Sequence, residues 1–303
     1  MTQYLRDLSD FRKEEMDDFL ASFDTVLTDC DGVLWFENTP LEGSVEVINR
    51  LKELGKKVFL VTNNCNSTVN QYMNKINTFG LHVAEDEIIF PSLVAASYFR
   101  EQNFRKKAYI LASSAFKEIF ESNGIICSSD VGPDHAVKTI RDLANELQDL
   151  DEEVGAVVID FDMNINFIKM MKAVFHLKNP DCLFVAGGVD VRVPSQSGLS
   201  ILGPGCFISP IEEVSGRKAL VTGKPSVLVK EFISKIHPIK PERTLMIGDM
   251  ISTDMQLGTN CGFQKLLVLS GGTKFEDLKE DNTNLPHYYL KTLGDLLPLL
   301  PII

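Results

Sequence analysis

The sequence predicts an α/β fold, with parallel sheets wrapped by helices and a second complete unit inserted into the first. Three observations carry this expectation. Short apolar runs rich in β-branched residues alternate with amphipathic helical stretches almost throughout the chain, which is the pattern of strand–helix–strand units. Several of these runs lack any polar interruption, as strands buried on both faces do. Polar clusters recur just past the runs but at uneven intervals. Asn64 and Lys224 are separated by 159 residues (65 through 223), whereas one strand–helix–strand unit needs ~30.

In chain order, the predicted strands are Thr25–Asp29, Lys57–Thr62, Ala108–Ala112, Ala156–Asp160, Cys182–Ala186, Ala219–Thr222, Thr244–Ile247 and Lys265–Leu269. Helical periodicity falls between them at Ser44–Leu54, Ser67–Phe79, Ser92–Gln102, Ser114–Ser122, Ala136–Leu147, Ile165–Leu177, Ser226–Ile236 and Thr253–Thr259. The insertion has strands and helices of its own, so it reads as a complete domain. Its edges are placed at the polar, basic stretch Asn103–Lys107 and at Ser200–Gly205, where Gly203-Pro204-Gly205 is expected to break any regular element. The expected division is therefore 1–103 with 204–303 for the main domain and 104–203 for the insert. Lys274–Ile303 reads as surface helix and turn.

Composition narrows the function. The chain has 303 residues, 44% hydrophobic and 24% charged, with a net charge of −12; these are the proportions of a globular protein. The basic residues are scattered, which argues against nucleic acid or an anionic membrane surface as partner. No apolar run approaches the ~20 residues of a membrane span, and Met1–Asp18 lacks a signal-peptide core. Cys30, Cys65, Cys127, Cys182, Cys206 and Cys261 lie far apart without zinc-site spacing. Free thiols in a reducing, cytoplasmic compartment are the expectation. The formal sequon Asn66-Ser67-Thr68 has no consequence there.

The chemistry concentrates at Asp29-Cys30-Asp31-Gly32, where the first strand ends. Alternate side chains of a strand share a face, so Asp29 and Asp31 would enter one small volume and repel unless a cation or shared proton compensates. A nucleophile beside a proton carrier, held together by a metal ion, needs such a pair. Calcium loops and ordinary turns also carry Asp-x-Asp-Gly, so the pair alone leaves both readings open. Thr62-Asn63-Asn64, Lys224-Pro225 and Asp249 each follow a predicted strand, where ligands of such folds sit. Singly they read as loop, turn or cap residues.

Together, Asp29-Cys30-Asp31-Gly32-Val33-Leu34-Trp35, Val61-Thr62-Asn63-Asn64, Gly223-Lys224-Pro225 and Gly248-Asp249-Met250-Ile251-Ser252-Thr253-Asp254 resemble the four ordered motifs of haloacid-dehalogenase-type phosphatases. The insertion is similar to the α/β cap of the 4-nitrophenylphosphatase, phosphoglycolate and pyridoxal-phosphate phosphatase branch. This resemblance runs over nearly the whole chain. It implies a doubly wound, Rossmann-like core with an inserted cap, and a Mg²⁺-dependent phosphomonoesterase acting on a small-molecule monophosphate. A homodimer formed through the caps is implied as well.

In that reading Asp29 attacks phosphorus to give an aspartyl-phosphate, and Asp31 carries protons. Lys224 places a fixed positive charge beside the phosphoryl group. Thr62, Asn63 and Asn64 cradle its oxygens. Asp29, the main-chain carbonyl of Asp31 and Asp249 hold the metal, while Asp254 supports a metal-bound water or Lys224 from behind. Competing readings are another reaction of the superfamily, protein-tyrosine or pyridoxal-phosphate dephosphorylation, and a non-catalytic phosphate-binding role.

The cap departs from the resemblance at Gly187-Gly188, where a polar pair commonly precedes Asp190. Two hydrogen-bonding side chains are lost there and a looser backbone is expected. Asp190 is kept, and Arg192 and Pro194 resemble the phosphoglycolate-type members, while Val193 stands where pyridoxal-phosphate phosphatases have a histidine. Val189, Val191, Val193, Leu199 and Ile201 suggest either an apolar leaving-group pocket or a buried strand. Trp35 and Phe36 are placed at the site entrance or against the cap, and Cys30 in the core. His82, His135, His176, His237 and His287 lack ligand spacing.

Overall fold

A computed structural model describes residues 5–129, 138–148, 150–194, 200–279 and 283–302. The chain begins with β1 (Arg6–Asp7), α1 (Lys13–Ala21), β2 (Thr25–Thr28), the hairpin β3 (Trp35–Phe36) and β4 (Thr39–Pro40), α2 (Ser44–Glu53), β5 (Lys57–Val61), α3 (Val69–Thr78), β6 (Ile88–Ile89) and α4 (Pro91–Glu101). A second set follows: β7 (Lys107–Leu111), α5 (Ser114–Ser122), α6 (Ile140–Glu146), β8 (Val154–Ile159), α7 (Phe167–His176), β9 (Leu183–Ala186), β10 (Arg192–Pro194), β11 (Ser200–Leu202), α8 (Gly205–Ser215) and β12 (Leu220–Val221). The last part is α9 (Leu228–Ile236), β13 (Thr244–Gly248), a wide helical turn Ile251–Met255, α10 (Gln256–Cys261), β14 (Gln264–Val268) and β15 (Tyr288–Leu290).

Local sequence accounts for several helix starts. Thr68 accepts the Gln71 N–H and closes a capping box with that residue at α3, and Ser113 and Asn166 cap α5 and α7 through Phe116 and Lys169. Pro91 opens α4, where its missing N–H has no cost.

The large sheet has the order β1-β15-β14-β13-β2-β5-β6 and is parallel at every pairing. From β2 the chain steps outward one way to β5 and β6, and after the insertion it steps outward the other way from β13. This reversal between β2 and β13 opens a crevice at their carboxyl ends. All four residues of β2 are buried, as expected for a strand covered on both faces. Thr28 is in register with Ile247, and the ladder continues through Asp29 N–H to Ile247 O at 2.9 Å.

The second sheet, β12-β9-β8-β7, is likewise parallel. One of its faces joins the main core, with Ala108, Ile110, Ala156 and Val158 buried in one cluster with Phe99, Phe116 and Phe120. The other buries Tyr109, Leu111, Val157 and Ile159 under Ala173 of α7 and Ile208 and Ile211 of α8. Each fully buried large apolar side chain contributes about 1.5–3 kcal/mol.

The expected division at 203 does not coincide with the sheet boundary. Leu220–Val221 is hydrogen-bonded to Val185–Ala186 and completes the inserted sheet. Gly203-Pro204-Gly205 does separate two elements: β11 ends at Leu202 and α8 begins at Gly205, with Pro204 at its N-cap, where the missing N–H has no cost. Part of the tail expected at the surface belongs to the core: Tyr288–Leu290 extends the main sheet, and Leu290, Leu293 and Leu296 are buried. The first part of the helix expected over 136–147 lies outside the described residues. All six cysteines are free, and among the described residues no helix is long and apolar enough to cross a membrane.

Candidate active site

Asp29 follows β2 and Asp249 follows β13, so the strand reversal sets their carboxylates side by side. Lys224 enters from the segment after β12. Its Nζ lies 2.6 Å from Asp29 Oδ1 and 2.8 Å from Asp254 Oδ1, and the lysine is 2% exposed. Burial opposes its charge, but Asp254 and Asp29 outweigh that and hold its pKa above the usual lysine range. Asp254 Oδ2 accepts the N–H groups of Asp249 (3.2 Å) and Met250 (3.0 Å). Both oxygens of Asp254 are therefore engaged, one fixing the backbone before the helical turn and the other fixing Lys224.

Asp249 differs. Its Oδ2 accepts Gly272 N–H at 2.6 Å, whereas its Oδ1 is buried with no hydrogen-bond partner. An orphaned buried carboxylate oxygen costs free energy unless a ligand meets it. Ligand atoms of Asp29, Asp249 and Asp254 all lie within 4.8 Å of one another. Burial, then Asp29 and Asp254, push the Asp249 carboxyl well above its ordinary range, and burial pushes Asp254 up to about 7 despite Lys224. One lysine cannot neutralise this group, so the donor set fits a hard divalent cation.

Asp31 sits past the strand end, half-buried, with its Oδ2 3.3 Å from Asn64 Nδ2. Burial and then Asp29 raise its pKa, the direction that suits a proton donor. Gly32, next after Asp31, is required where the chain passes Asp249. Its φ is +86°, and a Cβ there would lie 2.8 Å from Asp249 Oδ2. Ser270 Oγ donates to Gly32 O at 2.6 Å, so the Ser270-Gly271-Gly272 loop after β14 closes this side. The Gly-Gly pair behind a predicted strand was the available sequence signal for that loop.

Thr62 is buried, and its Oγ1 accepts Asn64 N–H at 3.0 Å, leaving the hydroxyl hydrogen to donate. Asn64 is exposed and bridges to Asp31. Asn63 departs from the expected phosphate contact because its side chain is already committed. Its Nδ2 donates to Asp190 Oδ2 (2.8 Å) and Lys224 O (3.1 Å), and its Oδ1 accepts Lys224 N–H (2.8 Å). Asn63 therefore clamps the lysine backbone and links it to the inserted unit.

The loop of Gly187-Gly188 is not loose. Gly187 N–H bonds Ile159 O at 2.9 Å, Gly223 N–H bonds Gly187 O at 3.0 Å, and Gly188 N–H bonds Asp160 Oδ2 at 2.8 Å. Asp160, which sequence reasoning missed, is 1% exposed at the end of β8, and burial pushes its carboxyl up to about 7. Asp190 reaches the site through Asn63, and burial raises its pKa too. Arg192 is exposed and Val193 half-buried on the β10–β11 hairpin, where Val193 pairs with Ile201. Val191 and Ile201 are 60% and 47% exposed, so they line neither a buried strand nor an enclosed pocket. Leu199 and His135 lie outside the described residues.

Trp35 is fully buried against Tyr72 and Phe79 of the main domain, not at an entrance or the insert. Cys30 is buried in that same cluster. None of the four described histidines joins the acidic group.

Residues 26–126 match the family profile described as haloacid dehalogenase-like hydrolase, and residues 221–296 match a HAD-hydrolase-like profile. The chain is 36% identical over 299 residues to a glycerol-3-phosphate phosphatase of Mus musculus, covering 93% of this chain and 92% of that one. It is 33% identical over 288 residues to the chloroplastic phosphoglycolate phosphatase 1A of Arabidopsis thaliana, covering 94% and 79%. Among solved structures, a 4-nitrophenylphosphatase from Thermotoga maritima superposes with a TM-score of 0.77 at 28% identity, covering 93% of this chain and 99% of that one.

Proposed function

Because the chain belongs to the haloacid dehalogenase-like hydrolases, we propose that its phosphatase chemistry is carried by Asp29 as nucleophile and Asp31 as proton carrier, with Mg²⁺ bound at Asp249. The enzyme is a phosphoric monoester hydrolase, like the phosphatases it resembles. One observation carries the assignment of roles. Lys224 Nζ is buried 2.6 Å from Asp29 Oδ1, beside an Asp249 oxygen with no partner. An internal cation and a carboxylate oxygen without a hydrogen-bond partner flank one candidate nucleophile.

Asp29 attacks phosphorus in line with the departing alcohol. A bond forms from its carboxylate oxygen to phosphorus as the ester P–O bond breaks. Asp31 donates its proton to the departing oxygen, then takes one from the water that cleaves the aspartyl-phosphate, returning Asp29 and releasing phosphate. Lys224 holds Asp29 in place and offsets phosphoryl charge, and Thr62 has a hydroxyl hydrogen to give to the same oxygens. A magnesium ion held by Asp29, Asp249 and the Asp31 main-chain carbonyl would supply positive charge between the two anions that must approach.

Asp190, Asn63 and Asn64 make the side of the site toward the insert polar. With the names of the relatives, this favours a small hydroxylated or carboxylated alcohol, of the glycerol or glycolate kind, as leaving group. The reading includes an inserted domain ending near Thr222, cytoplasmic placement, and a homodimer to which the exposed Val191, Ile201 and Leu202 of the hairpin contribute. Asp29→Asn should abolish turnover of 4-nitrophenyl phosphate, and chelation by EDTA should silence the wild type until Mg²⁺ is returned. Turnover by the variant above a few per cent would remove Asp29 from its role; turnover without metal would remove the cation.

A further inference from the structure

At Gly187 the backbone leaves no room for a side chain beside Asp160. A Cβ there would lie 1.9 Å from Asp160 Oδ2, 2.7 Å from its Cγ and 3.1 Å from its Cβ. The volume is filled by the carboxylate of Asp160, which comes from the neighbouring strand. Both oxygens of that carboxylate point at backbone: Oδ1 accepts Phe161 N–H at 2.7 Å and Oδ2 accepts Gly188 N–H at 2.8 Å. On the far side of Gly188, a Cβ would meet Asp190 Oδ2 at 3.1 Å and Asn63 Cβ at 3.4 Å. The contacts run in series: Asp160 to Gly188, Gly188 against Asp190 and Asn63, Asn63 to the Lys224 backbone, and Lys224 to Asp29.

We propose that Asp160 is a positioning residue of the active site, which supplies through the absent side chain of Gly187 the polar anchor that sets the loop and brings Asp190 onto Asn63. Asp160 and Gly187 then form one exchangeable unit. The loop needs one polar group in that volume, and it can come from either residue but not from both. Two physical points support this. A buried carboxylate with no cation among its neighbours is costly, and its retention is explained if the backbone donors it satisfies must be held. The loop is also packed against the residue that clamps Lys224, so a shift in it reaches the phosphoryl side of the site, where displacements near 1 Å can cost about a hundredfold in rate.

The test is a double-mutant cycle on the full-length protein, read by thermal melting and by 4-nitrophenyl phosphate and glycerol 3-phosphate kinetics. Gly187→Ser alone should lower Tm and cut kcat/KM by roughly tenfold or more, because its Cβ meets the Asp160 carboxylate. Asp160→Gly alone should raise KM by roughly tenfold with a smaller change in kcat, since the loop loses its anchor. Glycine is needed at 160, as the Asp160 Cβ itself would crowd the new side chain. The pair Asp160→Gly with Gly187→Ser should recover Tm and bring KM to within about threefold of wild type, a coupling opposite in sign to the single effects. Asp160→Gly with Gly187→Ala should recover Tm but not KM, which separates filling the volume from anchoring the loop.

A wild-type-like Gly187→Ser variant, or a double variant no better than the product of the singles, would overturn the proposal. So would equal recovery of KM by alanine and serine at 187. The inference rests on the phosphatase reading only for its kinetic arm. An inactive wild type would defeat that reading, while the Tm cycle still reports whether residues 160 and 187 share one volume.

Discussion

Replacing Lys224 by methionine keeps most of the stem and removes the cation that, among the described residues, pairs with the carboxylates of the cluster. In the wild type that cation faces Asp29 at 2.6 Å and Asp254 at 2.8 Å. At an effective dielectric of about 20, each attraction is worth roughly 6 kcal/mol before desolvation is subtracted. Breaking a buried pair by removing one partner costs about 3–5 kcal/mol net, because the carboxylates left behind have no counter-charge. For a protein of this size, that lowers Tm by roughly 5–15 °C in a metal-free melt. Turnover of 4-nitrophenyl phosphate should fall by at least ~10²–10³-fold, the loss typical of one preorganised charge at a reacting oxygen. The metal separates this account from simple damage. With three carboxylates and no internal cation, Lys224→Met should gain more Tm from millimolar Mg²⁺ than the wild type does. A variant melting within 2 °C of wild type, or retaining kcat within about tenfold, would refute the assigned role of Lys224.

Other perturbations follow from the same geometry. Gly32→Ala places a Cβ 2.8 Å from Asp249 Oδ2 at a φ of +86°, so it should lose about 2 kcal/mol of stability and most of its Mg²⁺-dependent activity, measured by melting and metal titration. Asn63→Ala leaves Lys224 N–H and Asp190 Oδ2 without a partner. A cost of about 1–3 kcal/mol is expected, together with a fall in kcat/KM, and unchanged kinetics would show that the clamp is idle. Asp160 has a folded-state pKa raised to about 7 by burial first, with Asp190 adding and the Phe161 and Gly188 N–H groups opposing. A raised carboxyl pKa means the folded state holds the proton longer than the unfolded one. Its contribution is thus fully present below about pH 4 and lost as pH rises toward 7, amounting to roughly 4 kcal/mol across that window. The Tm of wild type minus that of Asp160→Asn should therefore fall between pH 5 and pH 8; a flat difference would contradict a buried carboxylate held by backbone N–H groups alone.

Local patterns made the site legible, and distant pairings hid the rest. Asp29, Asp31 and Asp249 each follow an apolar run, so strand periodicity plus chain direction already places them at one edge of a sheet. Lys224 was read by its position behind Leu220–Val221, but the sheet to which that two-residue strand belongs is a matter of pairing with Val185–Ala186, which no window of sequence contains. Asn63 stands among groups suited to phosphate, and only the approach of Asp190 and Lys224 shows that its amide is already spent. The tail looked superficial because Leu290, Leu293 and Leu296 are interleaved with polar residues. Their burial depends on β14 and α2 being beside them. Asp160 ended a predicted strand like any carboxylate at a turn, and Gly187 looked like a loss of chemistry. Their meaning is joint and appears only when the two strands stand next to each other.

The order of the main sheet bears on how the protein is made. One edge of it is β1 paired in parallel with β15, the first and last strands among the described residues. Asp29 follows β2, yet the strand that precedes Asp249 comes only after the whole insert, and the sheet is not complete until Tyr288–Leu290 has been made. During synthesis the inserted unit can gather its own four strands first, while Asp29 waits on a sheet that still lacks half its width. Fragments ending before Thr244 would therefore carry Asp29 without Asp249 and Asp254, and should have no phosphatase activity. Pairing of Arg6–Asp7 with Tyr288–Tyr289 also makes folding dependent on contacts of very long sequence separation, which form slowly.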